Sequence, residues 1–173
     1  NGEGGSIVSK LTRTYESGWF STLQGTLKRF GDFNAPDYIM SNTGFIDKSA
    51  SFQIGLNRFN YGFEFFLSSI NNEIGILQAS HLHTAGDQIR AINSDSILYV
   101  DDFTYKINAP KQKVTHNLIK SKVYKRFQGF GKATLQYHFQ NALVVQPLIV
   151  QPVFVAADYD KKLLIDIVFR YQL

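Results

Sequence analysis

Residues 163–173 alternate with a period of two. Leu163, Ile165, Ile167, Phe169, Tyr171 and Leu173 fall on one face of an extended strand. Asp166, Arg170 and Gln172 fall on the other, with Leu164 and Val168 as apolar exceptions. Successive side chains of a strand point to opposite faces, so one face here is wholly apolar, with two aromatics near its end. The sequence stops on this segment. A closing strand of a transmembrane β-barrel has that form, presenting an apolar face to lipid and aromatics to the interface.

Six earlier segments also read as strands. Residues 7–15 set Ile7, Leu11 and Tyr15 against Lys10, Thr12 and Thr14. Residues 19–30 set Trp19, Leu23, Gly25 and Leu27 against Thr22, Gln24, Thr26 and Lys28. Residues 50–59 alternate more cleanly, with Ala50, Phe52, Ile54 and Leu56 on one face. Residues 63–77 begin with Phe63, Phe65 and Leu67 in phase and then shift to Ile70, Ile74 and Ile76. That shift predicts a β-bulge, in which one inserted residue flips the faces beyond it. Residues 114–127 oppose Ile119, Val123 and Phe127 to His116, Lys120, Lys122 and Arg126. Residues 132–140 oppose Ala133, Leu135, Tyr137 and Phe139 to Lys132, Thr134, Gln136, His138 and Gln140.

The connections alternate in length. Tight turns are predicted at Glu16-Ser17-Gly18, Asn60-Tyr61-Gly62 and Gln128-Gly129-Phe130-Gly131, where Gly and Asn supply positive φ. The other joins, residues 31–49 and 78–113, are long. Short turns at one rim and long loops at the other are the asymmetry of outer-membrane barrels. Within the second long loop, Asp87, Ile89, Arg90 and Ile92 have near-helical spacing, with Thr84 as an N-cap.

Composition agrees with sheet surfaces that touch lipid or a dense core. Aromatics make up 14% of the 173 residues and charged residues only 18%, against roughly a quarter charged in average soluble domains. With no Cys there is neither a disulfide scaffold nor a thiolate metal site. The net charge is +4, but Lys and Arg are scattered, and no basic run interleaved with aromatics proposes a nucleic-acid groove. No apolar stretch reaches the ~20 residues of a transmembrane helix, residues 142–157 being broken by Gln146, Pro147, Gln151 and Pro152. Any membrane crossing is therefore by strands. The polar, Gly-rich residues 1–5 do not resemble a secretory signal.

Alternation alone leaves open which face is the lumen, since a soluble lipid-carrying barrel turns its apolar residues inward. Two patterns favour apolar-out. Tyr15, Trp19, Phe30, Phe59, Phe63, Phe127 and Tyr171 sit at strand ends, where a girdle belongs, although such residues also cap soluble cores. Lys120, Lys122, Arg126, Lys132 and His138 share the opposite face, as a hydrated lumen permits.

Several irregular phrases carry a resemblance. The run Leu27-Lys28-Arg29-Phe30-Gly31-Asp32-Phe33-Asn34-Ala35-Pro36-Asp37-Tyr38, followed by Ser41-Asn42-Thr43-Gly44, resembles TonB-dependent outer-membrane receptors of the Bacteroidota type. So do Asn72-Glu73-Ile74-Gly75-Ile76-Leu77 with Ser80-His81, and the run Ile107-Asn108-Ala109-Pro110-Lys111-Gln112-Lys113-Val114-Thr115-His116. Leu135-Gln136-Tyr137-His138-Phe139-Gln140-Asn141 completes the set, and the phrases fall in one order across residues 1–141. The resemblance implies a barrel of about twenty-two strands filled by an N-terminal plug, on the scale of the large outer-membrane barrels. This sequence departs from it in having no plug, no segment to engage TonB and too few strands to close such a barrel. After Asn141 it passes directly to Ala142-Leu143-Val144-Val145 and then to the final strand.

No catalytic constellation is present, and no Ser, His and Asp spacing proposes a triad, so an enzyme is not expected. His81 and His83 form an HxH pair that could share a metal, but no third ligand accompanies them, and solvated loop histidines remain the plainer reading. Asp32, Asp37 and Tyr38 could meet a ligand at the extracellular mouth or could form an ordinary turn set by Pro36. Asp101-Asp102 lacks the further oxygens of a calcium site.

The expectation is an all-β protein, an antiparallel transmembrane β-barrel forming a portion of a large outer-membrane barrel. Residues 1–141 would hold early strands and extracellular loops, 142–160 a connecting segment, and 161–173 the closing strand. The function expected is that of a TonB-dependent nutrient receptor and transporter in the bacterial outer membrane, for an iron complex, a cobalamin or a glycan. Its ligand contacts would be Asp37, Tyr38, His81 and His83, with no metal and no cofactor. Partners would be membrane lipid, a small nutrient, TonB through regions absent from this sequence, and other outer-membrane proteins, with no nucleic acid. The alternative is a small self-contained barrel, either a structural outer-membrane protein or a soluble lipid carrier.

Overall fold

The computed structural model describes residues 2–80, 85–94, 100–129, 131–145, 157–159 and 164–170, the last two segments by their backbone alone. Within them the chain is all-β apart from one α-helix and a 3₁₀ turn. The strands are β1 (Gly2–Thr14), β2 (Trp19–Asn34), β3 (Ile39–Met40), β4 (Phe45–Asn57), β5 (Tyr61–Gly75), β6 (Lys111–Phe127), β7 (Gly131–Val145), β8 (Ala157–Tyr159) and β9 (Leu164–Arg170). The helix α1 (Ala85–Asn93) lies between β5 and β6, where Asp87, Ile89, Arg90 and Ile92 predict it. The N-cap proposed at Thr84 lies outside the described residues. Among the described residues no helix is long and apolar enough to cross a membrane.

All pairings are antiparallel, in the order β1-β2-β4-β5-β6-β7, with β3 beside the end of β2. Both β8 and β9 lie along β7. Between them the register shifts by one residue, since His138 opposes Leu164 while Ala142 opposes Tyr159. The sheet is not closed: β1 pairs with β2 alone, and β9 pairs with β7. Within the described sheet β9 pairs with β7 and not with β1. Adjacency in sequence decides this, because β9 follows β7 and runs antiparallel to it through seven matched positions. Residues 142–145, assigned from the sequence to a connecting segment, simply continue β7.

Register turns the alternation into two faces. One cross-strand row reads Leu11, Leu23, Phe52, Leu67, Ile119, Phe139 and is apolar throughout. Two rows away, Trp19, Leu56, Phe63, Val123 and Leu135 are again all apolar, and Ile167 continues their register position. On the opposite face the corresponding rows read Thr12, Thr22, Gln53, Phe66, Lys120, His138 and Thr14, Phe20, Gly55, Glu64, Lys122, Gln136. Lys120, Lys122, Arg126, Lys132 and His138 do share that face, as the sequence predicts.

Three local expectations fail. Register runs unbroken through β5 on both sides, so the predicted bulge is absent. Ile70 and Ile74 instead stand on the polar face, a change of residue type without a change of phase. The β4–β5 turn is Arg58-Phe59-Asn60, two residues earlier than predicted, closed by the Arg58 N–H donating to the Tyr61 carbonyl at 3.0 Å. Gly62 belongs to the strand because the Tyr124 ring, its cross-strand partner, fills the space a Cβ would need. Phe30 stacks on Phe45, centroids 4.9 Å apart, on the polar face and outside any girdle.

Among the described residues no aliphatic or aromatic side chain is buried apart from Pro110. Ile7, Leu11, Leu23 and Leu27 are each more than half exposed. The buried side chains are those of Asp32, Ser41, Asn42 and Pro110, three of them polar, and all lie at the long-loop end.

Candidate functional site at the long-loop end

At the end where the long connections emerge, β2 runs past its last pairing with β4 and turns back as β3. The turn between them holds Asp37 and Tyr38, and the Ala35 N–H donates to the Tyr38 carbonyl at 2.8 Å. Asp37 is exposed and Tyr38 half-buried. Both reach the surface at this end of the sheet. His81 and His83, the other two expected ligand contacts, lie outside the described residues. No group of three or more His, Asp or Glu that could hold a metal occurs among the described residues.

Asp32, by contrast, is not at the surface. Its carboxylate is wholly buried and accepts the Thr43 N–H at 2.9 Å and the Thr104 N–H at 3.2 Å. Its own N–H donates to the Thr104 carbonyl at 3.1 Å. A buried carboxylate is tolerated because backbone donors replace the water it has lost. Asp32 therefore pins the far foot of the second long loop to β2.

Asn42 makes the second pin. It takes φ 61°, a left-handed conformation that Asn enters more cheaply than most residues. Its Nδ2 donates to the Pro110 carbonyl at 2.7 Å and to the Ile76 carbonyl at 2.9 Å. Its Oδ1 accepts the Asn108 N–H at 2.8 Å. One carboxamide thus ties the first long connection to both feet of the second. Backbone bonds reinforce the knot, with Ile76 N–H donating to Pro110 and Gln78 N–H to Ser41.

Aromatic packing completes the platform. Phe103 meets Tyr105 edge to face at 5.0 Å, and the Arg29 guanidinium lies 5.5 Å from the Tyr105 centroid. The Phe103 ring presses against Gly31, where a Cβ would overlap it. Glu73 bridges Lys111 at 2.7 Å and Lys113 at 3.4 Å at the same rim. From this fixed base the loop rises through α1, whose Ile89 and Ile92 are 61% and 83% exposed. Arg90, Asp101 and Asp102 in the same connection are also exposed.

Sequence reasoning pointed to Asp37 and Tyr38 but missed Asn42 as the organiser. A readable signal was present in Asn42-Thr43-Gly44, a natural place for a left-handed turn. The burial of Asp32 had no such signal. No protein-family model, curated protein or solved structure matches this chain.

Proposed function

We propose that this chain forms part of the wall and extracellular loops of a TonB-dependent nutrient receptor in a bacterial outer membrane. The observation that carries the reading is an uncovered apolar face on a sheet without an apolar core. The six long strands run 13 to 17 residues, where soluble proteins average about 5–6 and a bilayer needs about 9–11. From Trp19 to Leu27 the apolar face of β2 extends eight residues, about 27 Å at ~3.4 Å per residue before any tilt. That compares with an apolar band of roughly 25 Å in membrane barrels.

Both borders of this band suit an interface. On the short-turn side stand Tyr15, Trp19, Tyr61, Phe63 and Phe127, with Arg13 over Tyr15 at 5.1 Å and Lys125 over Phe127 at 5.3 Å. Trp19 and Phe63 meet edge to face at 5.3 Å. On the loop side the same face turns charged at Arg29, Lys48, Glu73 and Lys113. The pinned loops would then face outward, and the receptor assignment rests on the loop phrases that resemble that family. A nutrient would be captured by Asp37, Tyr38 and the loop that includes His81 and His83, while TonB would act through other regions of the receptor.

Fractionation of cells producing the polypeptide tests the location. Recovery in the outer-membrane fraction after alkaline washing is expected. Quantitative recovery in the soluble fraction would remove the membrane reading and return the apolar face to the soluble lipid-carrier alternative.

A further inference from the structure

The apolar face is not evenly bulky. Between Ile7 and Leu27 on one side and the row that begins at Leu11 on the other runs a row of small residues, Ser9, Gly25, Ala50 and Ser69. These form the floor of an open trough of about 450 Å³, within the size range of small-molecule sites. A glycine inside a strand weakens it, and it commonly accompanies a bulge or a close approach. Register runs unbroken through Gly25 against both β1 and β4, so there is no bulge. A Cβ there would meet no atom within 4 Å, so nothing in the described chain covers it. The space is open to a body from outside.

A second, polar recess of about 240 Å³ adjoins the trough, and Lys48 and Asn71 line both. Asn71 is anchored between them, accepting the Thr115 hydroxyl at 3.1 Å and donating to the Ser69 hydroxyl at 3.5 Å. Lys48 is exposed and makes no ion pair among the described residues, its neighbour Asp47 lying on the opposite face with Lys28. The recess holds one carboxylate, Glu73, already shared by Lys111 at 2.7 Å and Lys113 at 3.4 Å. Three ammonium groups thus stand against one carboxylate at the loop-side border of the apolar face.

We propose that trough and recess together hold one net-anionic phospholipid, with an acyl chain over Gly25 and Ala50 and the phosphate on Lys48 and Lys113. An apolar channel that ends at excess positive charge matches an amphiphile with a negative head. Lysine meets phosphate as a point charge while its stem lies along apolar surface. With this face in the membrane as proposed above, on which the site depends, the trough lies among acyl chains and Lys48 among headgroups.

Native mass spectrometry of the full chain in non-ionic detergent, titrated with phosphatidylglycerol or with phosphatidylcholine of the same acyl chains, tests the assignment. Saturable binding of one phosphatidylglycerol is expected, tighter than that of phosphatidylcholine. Lys48→Gln should weaken it about tenfold, the scale of one charge-assisted hydrogen bond. Gly25→Leu puts a side chain into the trough from a Cβ that meets no atom, so the sheet should fold while binding falls at least as far. Lys125→Gln, on the same face at the short-turn border, should change nothing. Absence of saturable binding by a chain with an intact strand circular-dichroism signal would overturn the proposal. Equal weakening by Lys48→Gln and Lys125→Gln, or no effect of Gly25→Leu, would do the same. Cell fractionation keeps the two readings apart. A chain in the outer-membrane fraction that fails these tests loses the lipid site alone, and a soluble chain that passes them loses the membrane placement alone.

Discussion

Asn42 combines a left-handed backbone with three side-chain hydrogen bonds to Ile76, Pro110 and Asn108. Substitution can separate the two roles. Asn42→Gly keeps the backbone conformation open and deletes the three bonds, which at ~1 kcal/mol net each predicts a loss of about 3 kcal/mol. Asn42→Ala deletes the same bonds and adds the left-handed strain of a Cβ, a further ~1–2 kcal/mol. Equilibrium unfolding in detergent checks both values, and a cost below 1 kcal/mol for either variant would contradict the pinning role. The sequence did not expose this residue or its companion for a physical reason. Asp32 and Asp37 are five residues apart in one loop phrase, yet one is sequestered and the other exposed. Burial of a loop carboxylate depends on backbone donors from Thr43 and Thr104, the latter 72 residues away, and no local pattern encodes that distance.

At the scale of elements, period-two alternation was the dependable signal where one face is uniformly apolar. β7 is the clearest case, and residues 132–140 lie wholly inside it. Its Leu135 and Gln136 occupy opposite faces, so Leu135→Arg should cost about 2–4 kcal/mol in folding into bilayers, while Gln136→Arg should be mild. Comparable costs would contradict the assignment of faces. β5 shows where the signal fails. An inserted residue and a run of apolar residues on the polar face produce the same one-dimensional phase change, and only the register against β4 and β6 distinguishes them. Gly62 misled for a related reason. Glycine marks turns, but it also marks strand positions crossed by an aromatic partner, and Tyr124 fills that role here.

The second long loop is an element in its own right, because its feet are fixed at Ile76, Thr104, Asn108 and Pro110. Deletion of residues 82–102 stays inside those feet. In a receptor carrying this chain, that deletion should abolish substrate binding while the sheet remains folded. Protease added to intact cells should cut within the same segment before it cuts any short turn. Cleavage confined to Arg58-Phe59-Asn60 would invert the topology, and unchanged substrate affinity after the deletion would remove the loop from the binding site.

At the scale of the molecule, the sheet has two faces of opposite chemistry and an open edge at β1. Strand edges in lipid leave backbone donors and acceptors unpaired, which a bilayer does not forgive. A sheet placed in a bilayer as proposed would need further strands beside it, and the 173 residues alone should then self-associate when transferred from detergent to lipid. A stable monomer in bilayers would instead favour the small self-contained barrel. The central claim, however, concerns the faces. The chain has a single tryptophan, so in a Trp19→Phe background a new tryptophan reports its own surroundings. Leu67 lies in the middle of the apolar face, and its chain neighbour Phe66 lies on the polar one. In bilayers of lipid brominated at mid-chain, tryptophan at Leu67→Trp should be strongly quenched and tryptophan at Phe66→Trp should not. Equal quenching of the two, or quenching of neither, would contradict the account.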